Sequence, residues 1–295
     1  MSNEKSNEER LVERRATGLL VIEVRNSNPN GDPDRESDPR QRQDGRGEIS
    51  SVSFKRKLRD LVEKKDGPVW KALAGQFNPN LKPEKFMISE SRETKLADMR
   101  SLNEKEFTAK YWDGRIFGNT ELEKGRDIPV KTGVVQFGLA ISVSPVLVER
   151  MTTTNPAVEA DKSRGMAPLA FRIVQHGVYC MPFFVNPTAA TKTNCTINDL
   201  ELLLKLIPLA YPHTASYVRT WVGIRYAWYM EHTSALGSCS DFALIDALTP
   251  KRKNKEDSEK PSTLWDDYDV PTEKDLPREL KDKLYEKKVR DLMNE

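Results

Sequence analysis

The sequence predicts an α+β fold in which a β-sheet is layered with helices. Three segments carry this prediction. Thr17 to Val24 is continuously apolar, Ser51 to about Val62 has apolar residues at helical spacing, and Val134 to Val143 alternates between apolar and small or polar residues. The first and third segments have the pattern of strands and the second that of an amphipathic helix, so we expect strands and helices in one body.

The first strand and the helix after it begin this body. Thr17 to Val24 is too apolar for a surface strand, so we predict a central strand covered on at least one face. The apolar residues of the helix recur on one side, and they are Phe54, Leu58, Leu61 and Val62. The basic residues are predicted to point elsewhere, and they are Lys55, Arg56, Lys57 and Arg59.

The loop between them, Asn26 to Asp34, reads Asn-Ser-Asn-Pro-Asn-Gly-Asp-Pro-Asp. Pro29 and Pro33 fix φ, Gly31 permits a positive φ, and the asparagine and aspartate side chains can bond their own backbone. We therefore predict one rigid conformation and a role in binding, since rigid loops on a scaffold often carry function. An ordinary turn is the alternative interpretation.

Val134 to Val143 has the clearest alternation in the chain. One predicted face is apolar and consists of Val135, Phe137, Leu139, Ile141 and Val143. The other face is nearly bare and consists of Gln136, Gly138, Ala140, Ser142 and Ser144. Such a face either lets another backbone approach closely or is covered by a neighbouring helix or strand.

Composition sets the remaining segment boundaries. Residues 1–16 form a polar tail, 17–250 the main body, and 251–295 a charged linker with a C-terminal helix. Within the body, Asp66 to Gly114 has no sustained period and is predicted to be an insertion, whereas Val146 to Val174 is predicted to be an extended hairpin. The other predicted elements are strands at Val178 to Val185 and Arg225 to His232, and helices at Asp199 to Ile207 and Pro277 to Glu295.

Charge and cysteine content limit the classes of function. Lys and Arg number 47 against 45 Asp and Glu, so with a net charge of +2 any nucleic-acid surface must be a local basic patch. Cys180, Cys195 and Cys239 lie far apart, which predicts neither a zinc site nor a disulfide framework and fits a reducing cytoplasm. No apolar stretch approaches the ~20 residues that span a bilayer, so we expect a soluble cytoplasmic protein.

Metal and acid–base chemistry has few candidates. Asn26, Asn28 and Asn30 imitate the first ligands of an EF-hand, but Ser37 stands where a bidentate glutamate is required. Three nearby carboxylates could hold Mg²⁺ for a nuclease, although no base or further ligand cluster accompanies them; they are Asp32, Asp34 and Asp38. The histidines are His176, His213 and His232, and we expect His176 and His232 to be structural. We therefore predict no catalytic residue, no metal and no cofactor.

Several segments resemble one family of proteins, and they keep that family's order from about Leu19 to Leu248. After the Asn-Pro-Asn-Gly-Asp-Pro-Asp loop they are Pro39-Arg40, Phe54 to Arg59, Ile116-Phe117-Gly118, Val135 to Ser142, and His232 to Gly237. The chain thereby resembles the backbone subunit of type I Cascade-like CRISPR complexes, particularly those of type I-C, the Cas-seven family of the RAMP superfamily. Ser50 to Ser53 departs from the usual entry into the helix, which puts its cap in doubt.

This resemblance implies a ferredoxin-like, RNA-recognition-type palm with a finger or web insertion at 66–114 and a thumb β-hairpin at 146–174. It implies a non-catalytic protein that polymerises head to tail along a CRISPR guide RNA and presents the guide for pairing with target DNA. Other Cascade subunits, those that cap the guide ends and the large subunit, are the implied further partners. A RAMP-type endoribonuclease that processes the guide precursor is the alternative, and a metal-dependent nuclease is a third, weaker one.

The resemblance also implies which residues contact RNA. Met166 would be the thumb wedge that displaces a guide base, although packing of Met166 against the subunit's own sheet is an equal alternative. Asp161 matches a cleaving aspartate of related subunits in position only, so we expect no cleavage. The predicted RNA-binding residues are Asn28, Asn30, Arg40, Lys55, Arg56, Arg59, Gln136, Arg150, Arg164 and Met166.

Overall fold

The computed structural model describes residues 10–91, 102–119, 131–155 and 167–295. Its strands in chain order are β1 (Ala16–Ser27), β2 (Gly31–Asp32), β3 (Asp38–Pro39), β4 (Arg46–Ile49), β5 (Gly118–Asn119), β6 (Lys131–Thr132), β7 (Val135–Phe137), β8 (Ala140–Pro145), β9 (Val148–Asn155), β10 (Ala167–Val185), β11 (Val222–Glu231), β12 (Lys251–Arg252), β13 (Tyr268–Asp269) and β14 (Arg290–Asp291).

The helices lie between these strands. The α-helices are α1 (Ser51–Glu63), α2 (Pro68–Ala74), α3 (Glu104–Lys110), α4 (Trp112–Phe117), α5 (Ala190–Thr193), α6 (Ile197–Leu206), α7 (Asp241–Leu248) and α8 (Arg278–Lys281). Short 3-10 helices occur at Pro33–Arg35, Pro83–Lys85, Pro187–Ala189, Ile207–Leu209, Pro212–Thr214, Lys255–Asp257, Trp265–Asp267, Tyr285–Lys287 and Leu292–Asn294. The mixture confirms the α+β class.

A large antiparallel sheet organises the protein. Its order is β14-β11-β1-β10-β8-β4, with β7 and β9 also paired to β10. β1 is hydrogen-bonded to β10 on one side and to β11 on the other, which confirms the predicted central strand. The elements at the centre of the sheet occur along the chain in the order β1, α1, β8, β10, α6 and β11, with other elements between them. In the sheet, the four strands lie side by side as β11-β1-β10-β8.

Both faces of the central strand are covered. Leu20, Ile22 and Val24 of β1 belong to the larger apolar cluster, which includes residues of α1, α2 and α6. Leu19 and Val21 belong to a second cluster, which includes residues of α7 and of the C-terminal segment. Because successive side chains of a strand point to opposite faces, β1 is the middle of a three-layered body.

Helix α1 begins where the sequence predicts it. Ser50 has extended backbone, and its Oγ accepts a hydrogen bond from Ser53 N at 3.2 Å, so the unusual entry segment does provide an N-cap. Phe54, Leu58 and Val62 are buried against the sheet, as predicted. α6 and β11 also confirm the predicted helix at Asp199 to Ile207 and the predicted strand at Arg225 to His232.

The predicted hairpin at Val146 to Val174 is present as β9 and β10. Their antiparallel register runs from Val148 opposite Val174 to Asn155 opposite Ala167. β1 pairs with β10 only from Val174 onward, so the hairpin continues beyond the edge of the central strand. The tip predicted to carry Arg164 and Met166 lies outside the described residues.

The predicted alternation at Val134 to Val143 was wrong after Phe137. β10 opposes Phe137 with Phe183 but Ile141 with Cys180, so one extra residue lies between β7 and β8. A one-residue shift moves every later side chain to the other face. The buried residues of β8 are therefore Ala140, Ser142 and Ser144, while Ile141 and Val143 are only partly buried.

The described residues of the segment 66–114 pack directly on the main body. Trp70, Phe86 and Trp112 belong to the same apolar cluster as the central strand. Arg115 of α4 forms two hydrogen bonds with the carboxylate of Asp199 in α6, at 2.9 and 2.7 Å, and both side chains are buried. This buried pair joins α4, which begins at Trp112 within the segment, to α6, which packs on the sheet.

The predicted C-terminal helix was wrong. α8 contains only Arg278–Lys281, and β14 then pairs with β11 at the edge of the main sheet. The apolar residues chosen for the helix are buried by this route instead, because Leu284 and Leu292 pack into the two clusters. Asp291 Oδ1 accepts a hydrogen bond from Ala227 N, so the C-terminal segment also provides an acceptor for a backbone N–H of β11.

Residues 251–260 are mostly exposed, as the charged linker predicts, although β12 pairs there with β13. Cys180, Cys195 and Cys239 are free thiols, in agreement with the absence of a predicted disulfide framework. Among the described helices, none has the length and apolar composition required to cross a membrane.

Candidate nucleic-acid interface

The loop after β1 is held in one conformation by its own hydrogen bonds. Asn28 Nδ2 donates to the carbonyl oxygen of Ser37 at 2.7 Å, and Asn30 Nδ2 donates to that of Gly31 at 2.9 Å. β2 pairs with β3 within the same loop. A Cβ on Gly31 would lie 2.9 Å from the Ser37 carbonyl oxygen, so glycine is required by close approach rather than by the predicted positive φ.

The positive φ values lie at neighbouring residues. Asn26 has φ 42°, Glu36 51° and Ser37 65°. Asparagine enters this left-handed region at lower cost than most side chains. The bends therefore lie at the two ends of the loop, one at Asn26 near the end of β1 and one before β3.

Three further hydrogen bonds anchor the loop to the body. Ser50 N donates to Asn30 Oδ1 at 2.7 Å, which connects the loop to the N-terminus of α1. Asn28 N donates to Val218 O at 2.7 Å, and Arg219 Nε donates to Asn28 O at 3.0 Å. Asn28 and Asn30 are both buried, so their side chains shape this surface from within.

The basic face predicted for α1 was wrong for Lys57 and Arg59. Lys57 is 5% exposed and Arg59 4%. Arg59 Nε contacts Asp113 Oδ2 at 3.0 Å and its Nη2 contacts Glu90 at 3.0 Å, so its charge is neutralised inside the protein. Burial lowers the pKa of Lys57 to about 8, and Arg219 nearby adds to this shift.

Three predicted cations of this region are nearer the surface. Arg56 is partly exposed and donates to Glu90 O at 2.6 Å, with the Asp60 carboxylate 3.8 Å away. Lys55 is partly buried, which lowers its pKa, and its Nζ lies 5.1 Å from the centre of the Phe117 ring. Arg40 and Lys55 form no ion pair with any residue that the structure describes, so their charges are available to an anion.

The base of the hairpin approaches the loop. Arg172 of β10 pairs with Asp38 of β3, and Phe171 packs edge to face against Tyr217 with ring centres 5.5 Å apart. Arg150 is exposed on β9 directly opposite Arg172. Loop, hairpin and the segment before β11 thus meet on one side of the sheet.

Gln136 and the bare strand face have different surroundings. Gln136 Nε2 donates to Gly133 O at 3.2 Å and the residue is partly exposed. Ser142 is buried and its Oγ accepts a hydrogen bond from Gly47 N at 2.9 Å. The side chain of Ser142 therefore contacts the backbone of β4, the strand paired with β8.

The histidines named as possible bases have structural partners. His176 Nδ1 lies 2.7 Å from Ser262 Oγ, and His232 Nδ1 accepts a hydrogen bond from Ser238 N at 3.0 Å. Over the described ranges no group of three or more His, Cys, Asp or Glu could hold a metal. Asp161 lies outside those ranges.

Sequence reasoning missed an aromatic part of this side. Tyr217 and Trp221 are 65% and 58% exposed, and Arg25 lies over the Trp221 ring at 5.1 Å. The available signal was two aromatic residues in a turn-rich stretch directly before a strand, where no apolar pattern accounts for them.

A family comparison decides the identity of this fold. The family model for CRISPR-associated protein Cas7 matches residues 14–273. The chain belongs to the Cas7 family. The resemblance of the loop, of α1 and of the His232 to Gly237 segment is thereby confirmed at the level of the family.

Comparison with solved structures gives the following similarities. One is a CRISPR RNA-guided surveillance complex in a pre-nicking state, with a TM-score of 0.46 and 14% identity over 73% of this chain and 77% of that chain. Another is a CRISPR RNA-guided surveillance complex, with a TM-score of 0.40 and 18% identity over 73% of this chain and 68% of that chain. A comparison with curated proteins finds no match.

The Cas7 match covers the whole candidate interface. It includes the loop after β1, α1, both strands of the hairpin and the segment before β11. It ends at residue 273, before α8 and β14. The C-terminal strand that completes the sheet edge is therefore additional to the matched region.

Proposed function

We propose that this Cas7 family member is a non-catalytic backbone subunit that binds a CRISPR guide RNA and polymerises head to tail along it. Family membership over residues 14–273 is the observation that carries the proposal. In such an assembly the guide pairs with target DNA, so the protein holds backbone and shape while base pairing reads the sequence.

The succession of elements supports a ferredoxin-like, RNA-recognition-type palm. One β-α-β-β-α-β path runs through β1, α1, β8, β10, α6 and β11, with α1 and α6 packed in the same apolar cluster. On this proposal, 66–114 is the finger or web and 146–174 the thumb.

The guide backbone would follow the side where loop, α1 and hairpin meet. Arg40, Lys55 and Arg150 are the cations best placed for phosphates, because none forms an ion pair with the described residues around it. Asn28 and Asn30 would position the guide backbone indirectly, because their side chains hold the loop after β1 in its conformation. Arg56 and Gln136 are partly available, whereas the buried ion pairs of Arg59 favour a structural role.

The partners follow from the same proposal. Each copy would contact the next through different surfaces, because a head-to-tail array uses heterologous contacts. Subunits that cap the guide ends and a large subunit would complete a Cascade-like complex, particularly one of type I-C, in the cytoplasm. Arg164 and Met166 would act at the thumb tip, with Met166 as the base-displacing wedge.

The experiment is a length series of single-stranded RNA. We expect complexes whose mass, measured by gel filtration with light scattering, increases stepwise with RNA length, and nuclease footprints at a regular spacing. A one-to-one complex at every length would contradict polymerisation. RNA cleavage by the purified protein, with or without Mg²⁺, would contradict the non-catalytic assignment and favour the endoribonuclease.

A further inference from the structure

A cleft between the end of β1 and the segment before β13 has aromatic walls. Its volume is about 460 Å³, and Trp221 and Trp265 line it together with Arg25 and Arg225. Arg225 lies 4.7 Å from the centre of the Trp265 ring, and Arg25 lies 5.1 Å from that of Trp221. Each indole is therefore accompanied by one flat guanidinium group.

One buried carboxylate fixes both arginines and offsets one of their two positive charges. Glu23 Oε1 contacts Arg25 Nε at 2.6 Å, and Glu23 Oε2 contacts Arg225 Nε at 3.0 Å. His176 Nε2 lies 3.3 Å from the same carboxylate. A guanidinium held in this way keeps its planar face for stacking, and the cluster retains one net positive charge.

The backbone of Trp221 is also fixed. Trp221 N donates to Ser27 Oγ at 3.0 Å, and Arg25 N donates to Trp221 O at 2.9 Å. The indole is nevertheless 58% exposed. An exposed ring on a fixed backbone loses less conformational entropy when a flat partner covers it than a ring on a mobile backbone does.

We propose that this cleft binds one unstacked base of a single-stranded nucleic acid, with Trp221 as the stacking platform. The inference rests on the proposed function and specifies it, since Asn26 on the cleft wall lies at the end of β1, two residues before Asn28 in the loop. Aromatic rings and guanidinium planes are the groups on which splayed-out RNA bases stack. Two indole rings and two guanidinium planes in one cleft therefore provide flat surfaces that fit the face of a base.

The first test measures affinity for a short single-stranded RNA of mixed sequence. Trp221→Ala should weaken binding by about 5- to 150-fold, the range of one base–aromatic stack, with no change in the salt dependence. Trp221→Phe should retain most of the affinity. Phe242→Ala is the control, because Phe242 is an aromatic residue on α7 that is even more exposed than Trp221, and it should bind like the wild type.

The second test isolates the cleft from assembly on RNA. Adenosine monophosphate should quench the tryptophan fluorescence of the wild type, and the quenching should be lost in Trp221→Ala and with ribose 5-phosphate as ligand. Wild-type RNA affinity in Trp221→Ala together with no quenching would overturn the inference and leave the proposed function intact.

Two further outcomes are distinct. Failure of the wild type to bind any RNA, with quenching by the mononucleotide retained, would overturn the proposed function and not the base site. Unchanged RNA affinity in Trp221→Ala with loss of self-association would assign the cleft to a protein partner and overturn the inference.

Discussion

Asn30 in the loop after β1 accepts a hydrogen bond from the backbone N of Ser50, the N-cap residue of α1, at 2.7 Å. Asn30 Nδ2 meanwhile donates to Gly31 O at 2.9 Å. One buried side chain thus determines both the shape of the loop and its position relative to the helix. The candidate interface depends on this link, because the loop and the first turn of α1 present its groups together.

Replacement of Asn30 by alanine should therefore disturb two properties. We expect a loss of about 1–3 kcal/mol in the free energy of unfolding, since the Ser50 N–H would lose its partner in a buried site. RNA affinity should also fall, because the loop would no longer be fixed. Urea denaturation and RNA titration measure the two effects. Asp34→Ala is the control, since Asp34 is exposed and should change neither; wild-type stability in Asn30→Ala would refute the role of this link.

Much of the fold could be predicted because the elements carry strong local patterns. The uninterrupted apolar run of β1 and the spacing of Phe54, Leu58 and Val62 in α1 each fit only one type of buried element. The C-terminal segment has no such pattern. Its few leucines fit a helix face equally well, and only the unpaired edge of β11, which the sequence does not display, makes Arg290–Asp291 a strand.

The site was less predictable because charge alone does not reveal burial. In the sequence, Lys57 and Arg59 have the spacing of cations on a helix surface. Arg59 forms an internal ion pair only because Asp113, from a distant segment, packs beside it. The one-residue bulge between β7 and β8 is equally invisible, since it arises from pairing with β10. Long-range partners, and not local propensity, decide these positions.

The pair formed by Arg115 and Asp199 should be among the strongest single contributions to stability. Arg115→Met leaves the Asp199 carboxylate buried without its bidentate partner, so we expect a loss of about 3–5 kcal/mol in the free energy of unfolding. Arg278→Met removes an exposed arginine and should have no measurable effect. Chemical denaturation compares the two variants; equal stabilities would contradict this bracing of α4 against α6.

Stability should fall on mild acidification because of His232. Burial lowers the pKa of His232, with Asp241 acting in the opposite direction, and Ser238 N–H already occupies Nδ1. The unfolded chain therefore takes up a proton near pH 6.5 that the folded protein resists, so this contribution is lost as pH falls below about 6.5. His232→Asn should flatten the dependence of unfolding free energy on pH in this range, whereas His213→Asn, at an exposed histidine, should not. An unchanged profile in His232→Asn would contradict the assignment.

Arg40 and Lys55 should act through phosphates and Arg59 through the fold. For single-stranded RNA the logarithm of affinity falls with log salt by roughly 0.7 per phosphate neutralised. Arg40→Ala or Lys55→Ala should each reduce this slope by the contribution of about one phosphate contact, whatever the RNA sequence. The free energy of unfolding should change little. Arg59→Met should destabilise the protein. The molecules that remain folded should bind RNA with an unchanged dependence of log affinity on log salt. Affinities across one salt series, together with denaturation curves, separate these roles, and an unchanged slope in the Arg40→Ala/Lys55→Ala double variant refutes the phosphate contacts.

Asp38 should limit the positive charge at the base of the hairpin. It pairs with Arg172, which lies opposite Arg150, so two like charges face each other across the strands and Asp38 offsets one of them. Asp38→Asn would release the Arg172 guanidinium, and because this arginine is half exposed the cost in stability should stay below about 1 kcal/mol. If RNA passes this point, the variant should bind more tightly at low salt and show a steeper salt dependence, since one more cation is available. Arg172→Gln should show the opposite change, weaker binding at low salt, because it leaves the Asp38 carboxylate without its partner. The two variants measured across the same salt series therefore locate the RNA path: identical behaviour of Asp38→Asn and the wild type would place the guide away from the hairpin base.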